Sequence, residues 1–205
     1  MAIEPLLSRP ARPAEADHVV QTIALAFEHD PIWRVALAGR DGGNDHHVPY
    51  WGLFVTAAMR FGTVRVTDDL GACAVWLPPG ADELDADDLE RLEALLDRSL
   101  APSALDAIQV LYERFEASRA AQRPHAYLSL LATHPDHRGR GVGQALLAAD
   151  LAVWDARGVP AYLESTNPAN DHRYERAGFR PIGGFDAVLD DARVTAFWRS
   201  VGGTT

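Results

Sequence analysis

The sequence predicts a mixed α/β fold in which helices flank a central sheet, and three observations lead to this fold class. The first 27 residues carry a helical apolar stripe, and residues 62–80 have the alternation of a β-hairpin. From residue 126 onwards, predicted strands and helices follow one another as β-α-β-α-β-β. Helices before a hairpin, followed by such a succession, are typical of one mixed sheet with helices on its faces.

Length and composition are those of an ordinary globular protein. The 205 residues are 47% apolar and 23% charged, which is sufficient for one domain spanning 1–205 with a sizeable core. The single cysteine, Cys73, excludes an internal disulfide framework and a cysteine zinc cluster, and it favours a reducing cytoplasm. Apolar runs stay short of the ~18 residues of a membrane span, so we expect no membrane association. The N-terminal segment also lacks the apolar stretch of a signal peptide.

The charge balance bears on the kind of partner. A formal net charge of −10 argues against nucleic acid, because binding to a phosphate backbone requires a basic surface. An acidic field instead favours cationic small molecules such as amines. All 19 basic residues are arginine, and a chain without lysine cannot form the P-loop pattern GxxxxGK[ST].

The N-terminal part of the chain is predicted to form helices and then a hairpin. A short strand at "LLSRPAR" precedes a helix that ends near Asp30, a short helix closed by Gly39 and a third helix at about 48–61. "GTVRVTDDLGACAVWLPPG" has apolar alternation on both sides of a turn, which predicts two paired strands. Residues 81–121 form a helical insert of two helices separated by Pro102, and its acidic start suits a solvated helix N-terminus.

The C-terminal part carries the alternating strands and helices. "AYLSLLAT" at 126–133 is a strand ended by a proline, and residues 142–157 form an amphipathic helix closed by Gly158. "PAYLEST" is the next strand, "NPANDHRYERAG" is a short helix closed by Gly178, and "FRPIGGF" and "ARVTAFWRS" complete the sheet. We expect the inward face of the amphipathic helix to consist of Ala145, Leu146, Ala149, Ala152, Val153 and Ala156.

The segment "HPDHRGRGVGQALL", residues 134–147, places a glycine-rich turn directly before that helix. Such turns bind phosphate because glycines let backbone N–H groups converge on an anion, while the helix N-terminus adds partial positive charge. The dinucleotide fingerprint G-x-G-x-x-G fails here, since its third glycine would fall on Gln144. The pattern [R/Q]-x-x-G-x-[G/A] fits from Arg138 to Gly143. A purely structural turn before a core helix is the alternative.

This segment resembles the acetyl-CoA pyrophosphate loop of the GNAT N-acetyltransferases. "PDHRGRGVGQALL" has the form P-x-[HYF]-[RQ]-[GN]-x-G-x-G-x-x-L-L, and "NPANDHRYERAGF" is similar to the family's N-x-x-N-x-x-x-Y-x-x-x-G-F element. The resemblance implies the GNAT fold in a single domain, with an acetyl-CoA-binding core at about 126–186 and the helical insert at about 81–121. "AFEHDPIW", "DLGACAVWLPPG" and the insert resemble the puromycin N-acetyltransferase type of this family, although the drug-modifying activity does not follow from that likeness.

The resemblance also implies roles for individual residues of the core. The backbone at residues 131–133 pairs with the pantetheine arm of acetyl-CoA, and the N–H groups of 139–144 hold its pyrophosphate. Arg140 either reaches a further phosphate or is solvated. Tyr174 lies near the thioester sulfur, where a phenol can protonate the leaving thiolate, although packing alone is the alternative. The predicted cofactor-binding set is Leu131, Ala132, Thr133, Arg138, Gly139, Arg140, Gly141, Val142, Gly143, Gln144, Asn170 and Tyr174.

The acceptor side is less well specified. A protonated amine must lose a proton before it attacks, so a base or a water chain is required, and Glu164 is the candidate general base. An outward-facing or ion-paired carboxylate is the alternative for that residue. In the family the end of the first helix forms one wall of the acceptor pocket, which adds the base candidates Glu28, His29 and Asp30. The predicted substrate contacts are Phe27, His29 and Trp33.

The sequence thus predicts an enzyme that transfers the acetyl group of acetyl-CoA to an amine of a small molecule by direct attack in a ternary complex. The same fold could use another acyl-CoA or an alcohol acceptor, or could serve as a non-catalytic acetyl-CoA sensor. The sequence does not specify the acceptor or the oligomeric state. Several other residues are assigned to packing or to the surface rather than to chemistry or metal binding: Cys73, Trp76, Tyr112, His46, His47, His134 and His137.

Overall fold

The computed structural model describes residues 8–187 and 192–203. Its strands are β1 (Ser8–Pro10), β2 (Val64–Thr67), β3 (Ala72–Leu77), β4 (Ala126–Thr133), β5 (Ala161–Ser165), β6 (Arg180–Asp186) and β7 (Arg193–Arg199). They form one seven-stranded sheet in the order β1-β2-β3-β4-β5-β7-β6. Every neighbouring pair is antiparallel except β4 and β5, which are parallel. The prediction of a mixed sheet is confirmed.

The helices are α1 (Ala16–Phe27), α2 (Trp33–Ala36), α3 (His47–Met59), α4 (Ala86–Ser99), α5 (Pro102–Ala120), α6 (Val142–Ala156) and α7 (Asp171–Arg176). Each was expected from the sequence, with ends displaced by a few residues. None of those in the described part of the chain is long and apolar enough to cross a membrane. The first residues of the expected N-terminal strand, Leu6 and Leu7, lie outside the described residues.

Helices cover both faces of the sheet. Cys73 and Val75 of β3 belong to a core cluster that they form with α1, α3, α4 and α5, whereas Ala74 and Trp76 belong to a second cluster with α6. Since successive side chains of a strand point to opposite faces, all six residues of β3 are buried. Strand β3 is therefore apolar along its whole length, as a strand covered on both faces should be.

The inward face of α6 differs from the expected one. Its buried residues are Val142, Leu146, Leu147, Asp150, Leu151 and Trp154. Of the predicted inward residues Leu146 is buried and Ala149 is partly buried, but Ala145, Ala152, Val153 and Ala156 are exposed. The prediction was wrong for two physical reasons. The larger side chains bury more apolar surface than the alanines do, and the helix can bury a carboxylate because that carboxylate is paired.

Asp150 lies on the inward face of α6 and so determines which side of the helix is buried. Its carboxylate accepts hydrogen bonds from Trp76 Nε1 at 2.9 Å, from Arg65 Nε at 3.1 Å and from the Ser8 hydroxyl. These partners belong to β1, β2 and β3, so one buried side chain ties α6 to three strands. Because the three partners lie far away in the chain, the periodicity of α6 alone could not reveal them.

The two parallel strands diverge, and this divergence positions the site. β4 pairs with β5 only at Ala126 with Ala161 and at Tyr127 with Tyr162. On its other edge β4 remains paired with β3 as far as Thr133. From residue 128 onwards β4 and β5 therefore separate and leave a cleft in the sheet, at whose end the glycine-rich loop begins.

Candidate active site

A cavity of about 620 Å³ opens where β4 and β5 diverge. It is lined by residues of both strands, of α1 to α3, of the insert that carries α4 and α5, and of α7. Nine aromatic side chains contribute to the lining. Among the described residues that line it, Arg119 supplies the single positive charge. The lining carboxylates are Asp30, Glu83 and Glu164, which are shielded from solvent, and the exposed Asp82, Asp85 and Glu116.

The glycine-rich loop owes its shape to two left-handed residues. Gly139 and Gly141 both have φ of +76°, a conformation that side chains disfavour. A Cβ built on either would meet nothing within 4 Å, so the requirement there is conformational rather than steric. Gly141 is also the N-cap of α6 and makes no side-chain cap. The first N–H groups of α6 are therefore available to an anion.

Gly143 is required for a different reason. A Cβ on this residue would come within 2.4 Å of Thr133 Oγ1, which is too close for any real contact. The absence of a side chain lets the first turn of α6 press against the end of β4. The third glycine of the pattern thus fixes the distance between the loop and the strand edge.

The other predicted loop residues divide into exposed and packed ones. Arg138 and Arg140 are exposed, and neither forms an ion pair with any residue in the described ranges. Both guanidinium groups are therefore available to phosphate. Ala132 and Val142 are buried in the core, so only their backbone atoms could contact a ligand, while Gln144 is half-buried.

The turn between β2 and β3 packs against the start of the glycine-rich loop. This contact was not predicted from the sequence. A Cβ on Gly71 would lie 2.3 Å from His137 Nδ1, so the imidazole packs directly on the glycine backbone. The same ring nitrogen lies 3.4 Å from Asp69 Oδ2, and the Gly71 carbonyl accepts from the N–H of His134 at 2.9 Å. His137 thus holds the loop against the β2–β3 turn.

Tyr174 and Asn170 both line the cavity from the α7 side. The Tyr174 ring packs against Phe179 and Phe197, with ring centroids 6.2 Å and 5.9 Å apart. Burial, together with the carboxylate of Asp30, raises the pKa of Tyr174 to about 12, so the phenol is protonated at neutral pH. Its hydroxyl has no hydrogen-bond partner among residues 8–187 and 192–203. The Asn170 side chain accepts from Arg173 Nη1 at 2.9 Å.

Glu164 is half-buried and lines the cavity, which excludes the outward-facing alternative. Burial raises its pKa to about 7, although the hydrogen bond from Tyr162, the neighbouring Tyr127 hydroxyl and the charge of Arg119 act in the opposite direction. Tyr162 donates to Oε1 at 2.5 Å. The other oxygen, Oε2, is buried and has no hydrogen-bond partner within the described residues. Such an orphaned buried acceptor is costly unless a ligand satisfies it.

A second carboxylate that is partly shielded from solvent was not predicted from the sequence. Glu83 lies in the cavity, accepts a hydrogen bond from the Ser129 hydroxyl and pairs with Arg119 at 3.5 Å between Nη1 and Oε2. Burial raises the pKa of Glu83. The Arg119 guanidinium also lies 5.0 Å from the ring centroid of Tyr127. Together, Glu83 and Arg119 join the insert to β4.

The expectation of a solvated acidic helix start was correct for α4 itself but wrong for Glu83. Asp85 caps the helix by accepting from the N–H of Asp88 at 2.9 Å, and both residues suit the helix dipole. Glu83 precedes the cap, and its partners lie more than 35 residues away along the chain. No local pattern distinguishes it from its exposed neighbours.

The predicted substrate contacts are only partly brought together. Phe27 and Trp33 line the cavity, and Trp33 stacks on Phe115 of the insert with centroids 6.1 Å apart. His29 is exposed and lies outside the cavity. Helix α1 ends at Phe27, before His29. The side chain that turns inward is that of Asp30, the residue after His29.

Asp30 is held inward by three hydrogen bonds. Its Oδ1 accepts from the N–H groups of Ile32 and Trp33 at 3.0 and 3.1 Å, and Oδ2 accepts from the Thr166 hydroxyl at 2.8 Å. Burial raises its pKa. Both carboxylate oxygens of Asp30 already accept hydrogen bonds from the protein. Asp30 is therefore a positioning group that joins the end of α1 to the loop after β5. Glu28, the remaining base candidate, does not line the cavity.

The structure shows the contacts of several residues that were assigned to packing or to the surface. Cys73 is buried, and burial raises its pKa to about 12, which leaves it inert as a nucleophile. Tyr112 packs against the core, as predicted; it also lines the cavity, where its hydroxyl lies 2.7 Å from that of Tyr50. His46 and His47 both contact the Leu37 carbonyl. The described residues contain no cluster of three or more His, Cys, Asp or Glu side chains arranged for a metal.

Sequence comparison finds a family match in the C-terminal half of the chain. Residues 110–181 match the acetyltransferase (GNAT) domain family. A stretch of 63 residues is 43% identical to mycothiol acetyltransferase of Propionibacterium freudenreichii subsp. shermanii, and it covers 29% of this chain and 20% of that protein. The match thus extends over about a fifth of the length of that curated relative.

Solved structures resemble the whole chain. A protein described as histone acetyltransferase HPA2 and related acetyltransferase, from Corynebacterium glutamicum, superposes with a TM-score of 0.65 at 23% identity, covering 97% of this chain and 98% of its own. Arylalkylamine N-acetyltransferase 7 of Aedes aegypti gives 0.69 at 11% identity, with 95% and 86% covered. Polyamine N-acetyltransferase of Drosophila melanogaster gives 0.62 at 16% identity, with 95% and 99% covered. The chain therefore has the fold of the GNAT acetyltransferases, and its residues 110–181 match the model of that domain family.

Proposed function

We propose that this protein is an acetyl-CoA-dependent N-acetyltransferase that acts on an amine by direct attack in a ternary complex. The observation that carries the proposal is that Glu164 and Tyr174 line one cavity, which opens at the strand divergence above a glycine-rich loop. In this proposal residues 1–205 act as one cytoplasmic domain, in which 126–186 bind acetyl-CoA and the insert at 81–121 supplies the acceptor side.

The loop suits the pyrophosphate of acetyl-CoA. The uncapped start of α6, the two left-handed glycines and the close approach at Gly143 form a cradle that side chains would distort. Arg138 and Arg140 add two unpaired positive charges, and the open edge of β4 at residues 131–133 offers backbone groups to the pantetheine arm. When bound, acetyl-CoA supplies the thioester whose acyl carbon receives the amine.

The chain's own residues supply the proton transfers. The pKa of Glu164 lies close to neutral pH. Its carboxylate takes the proton that an ammonium must lose before attack. As the C–N bond forms and the C–S bond breaks, Tyr174 gives its proton to the sulfur. The second nitrogen-bound proton leaves as the amide forms and restores the phenol. Cys73 is buried and thiol-bearing, so a covalent acetyl-cysteine step is not part of the proposal.

The acceptor that suits the cavity is a small primary amine with an apolar, aromatic body. Aromatic rings such as Phe27, Trp33 and Phe115 form the walls, while Glu164 lies among them as the acceptor of an N–H group. Arylalkylamine and polyamine acetyltransferases both occur among the structural neighbours. The aromatic walls favour the former class, and they agree with the resemblance of the sequence to the puromycin N-acetyltransferase type.

An amine panel tests the proposal. Aromatic amines, polyamines, amino acids and puromycin are incubated with acetyl-CoA, and the release of free thiol is measured. We expect aromatic amines to be the best acceptors and Tyr174→Phe to lower kcat by about 10²- to 10⁴-fold with little change in acetyl-CoA affinity. His172→Gln, an exposed change on the same helix, serves as the matched control.

Two outcomes would contradict the proposal in different ways. If acetyl-CoA binds but no amine releases thiol, the protein is a sensor rather than an enzyme. If Tyr174→Phe retains full turnover, the proton on the leaving thiolate comes from water, and only the assignment of Tyr174 is lost.

A further inference from the structure

The proton that Glu164 accepts must leave before the next turnover, and the carboxylate is buried. Its two oxygens have different surroundings. Oε2 has no hydrogen-bond partner in the described chain and is the atom suited to an acceptor N–H group. Oε1 accepts from the hydroxyl of Tyr162 at 2.5 Å. The entry and the exit of the proton can therefore involve different atoms of one carboxyl group.

Tyr162 connects Glu164 to the helical insert. Its side chain is fully buried, and its hydroxyl lies 2.7 Å from Oγ of Ser118 on α5. Ser118 is partly exposed. Glu164, Tyr162 and Ser118 thus form an unbroken row of hydrogen-bonding groups that runs from the cavity wall to a partly exposed position on α5.

We propose that Tyr162 and Ser118 relay the proton from Glu164 to solvent, an inference that rests on the proposed function. After the carboxyl group turns so that its protonated oxygen faces Tyr162, and the phenol O–H turns from Glu164 towards Ser118, the carboxyl proton passes to the phenol oxygen. The phenol proton passes to Ser118 Oγ, and the serine proton passes to water at the surface of α5. Each oxygen gains one O–H bond as it loses another, so the row is restored once the hydroxyls rotate back.

The surrounding groups favour the route through Tyr162 over other routes for the proton. Arg119 and Glu83 lie near Glu164, and their charges partly cancel. The ring of His125 packs on Tyr162 with centroids 4.9 Å apart, and burial lowers the pKa of this imidazole, so it is neutral at neutral pH and does not hold the proton. The other phenol beside Glu164, Tyr127, lines the cavity itself and leads back towards the acceptor.

Removal of the outer hydroxyl tests the relay without disturbing the base. Ser118→Ala keeps the bond between Tyr162 and Glu164 and places a good helix former on α5. In a single turnover with the best amine of the panel, a thiol reagent follows acetyl transfer and a pH indicator follows proton release. We expect thiol to form at the wild-type rate while proton release slows by about tenfold. Ser118→Thr, which keeps a hydroxyl, should restore the proton rate.

Controls and contrary outcomes separate the two proposals. Ser103→Ala, an exposed change on the same helix, should leave both rates at the wild-type value. If the wild-type protein forms thiol and Ser118→Ala releases its proton just as fast, the relay is refuted while the enzyme assignment stands. If the wild-type protein forms no thiol with any amine, the proposed function itself fails.

Discussion

Two titratable side chains of the cavity have pKa values displaced in the same direction, with different chemical consequences. Burial brings the pKa of Glu164 to about 7 and that of Tyr174 to about 12. A carboxylate of ordinary pKa, about 4.3, would be a weak base towards an ammonium, so the displacement improves Glu164 for its proposed role. The same environment keeps Tyr174 protonated, which a proton donor requires. Neither property could be read from chain neighbours.

Replacement of the base tests this environment through pH. If Glu164 is the base, kcat/KM should rise with pH through about 7, where the carboxyl ionises, and Glu164→Gln should lose that rise and most of the rate. The exposed Glu175→Gln is the matched control. A profile that keeps its rise near 7 in Glu164→Gln would assign the base to another group.

The same substitution should change stability in a defined direction. The folded state holds the Glu164 proton more tightly than the unfolded state, so wild-type stability falls as pH increases from about 4.5 to about 7. Above that range the buried charge destabilises the fold, and Glu164→Gln should have the higher Tm. At about pH 5 the side chain is neutral in the folded protein, and the two Tm values should converge. Equal Tm differences at both pH values would contradict a buried, ionising Glu164.

At the scale of elements, the contact of α6 with β4 depends on the absence of one side chain. Gly143→Ala would place a methyl group against Thr133 Oγ1, and we expect it to lower the free energy of unfolding by about 1–3 kcal/mol and to weaken acetyl-CoA binding. The Thr133 Cβ lies 3.8 Å away, an ordinary contact. Adding Thr133→Ala removes the clashing oxygen and should restore both quantities.

A matched glycine distinguishes this steric effect from a general one. Gly52 lies inside α3 with nothing within 4 Å of a built Cβ, so Gly52→Ala should be neutral or stabilising by about 1 kcal/mol. Urea unfolding and calorimetric titration with acetyl-CoA measure the two quantities. If the double variant is no better than Gly143→Ala alone, the close approach is not what fixes the loop.

At the scale of the molecule, the strand divergence joins two regions that lie far apart in the chain. The loop and the edge of β4 lie on one side of it, and the aromatic cavity closed by the insert lies on the other. Binding of acetyl-CoA should stabilise the whole fold, because ligand binding to the native state alone favours that state. At about 100 times its Kd the gain is about 2.7 kcal/mol, or roughly 5–10 °C in Tm for a chain of this size.

Thermal denaturation with and without acetyl-CoA measures this gain. Arg138→Ala should reduce it at a fixed ligand concentration, whereas Arg98→Ala, an exposed arginine on α4, should not. A wild-type protein that shows no change in Tm up to millimolar acetyl-CoA would remove the basis for assigning the loop to this ligand.

The sequence by itself determined the parts that depend on local rules. The strand at 126–133, the turn with its left-handed glycines and the start of α6 at Val142 follow from periodicity, proline and glycine signals that act over a few residues. The order of these elements was also sufficient for the resemblance to the GNAT family. Phe27 and Trp33 were expected at the cavity for the same reason.

Only the tertiary structure decided what the distant contacts create. The hydrogen bonds of the buried Asp150 carboxylate to three strands set which face of α6 points inward. Glu83 forms an ion pair with Arg119, whereas its acidic neighbours in the chain are exposed. Asp30, rather than His29, points into the cavity after α1. Its hydrogen-bond partner Thr166 lies 136 residues away in the chain. Burial and pairing energies depend on groups brought together by folding, whereas the sequence shows only which groups follow one another. The loop could be predicted from the chain, but the pKa of Glu164 and the row that leads to Ser118 could not.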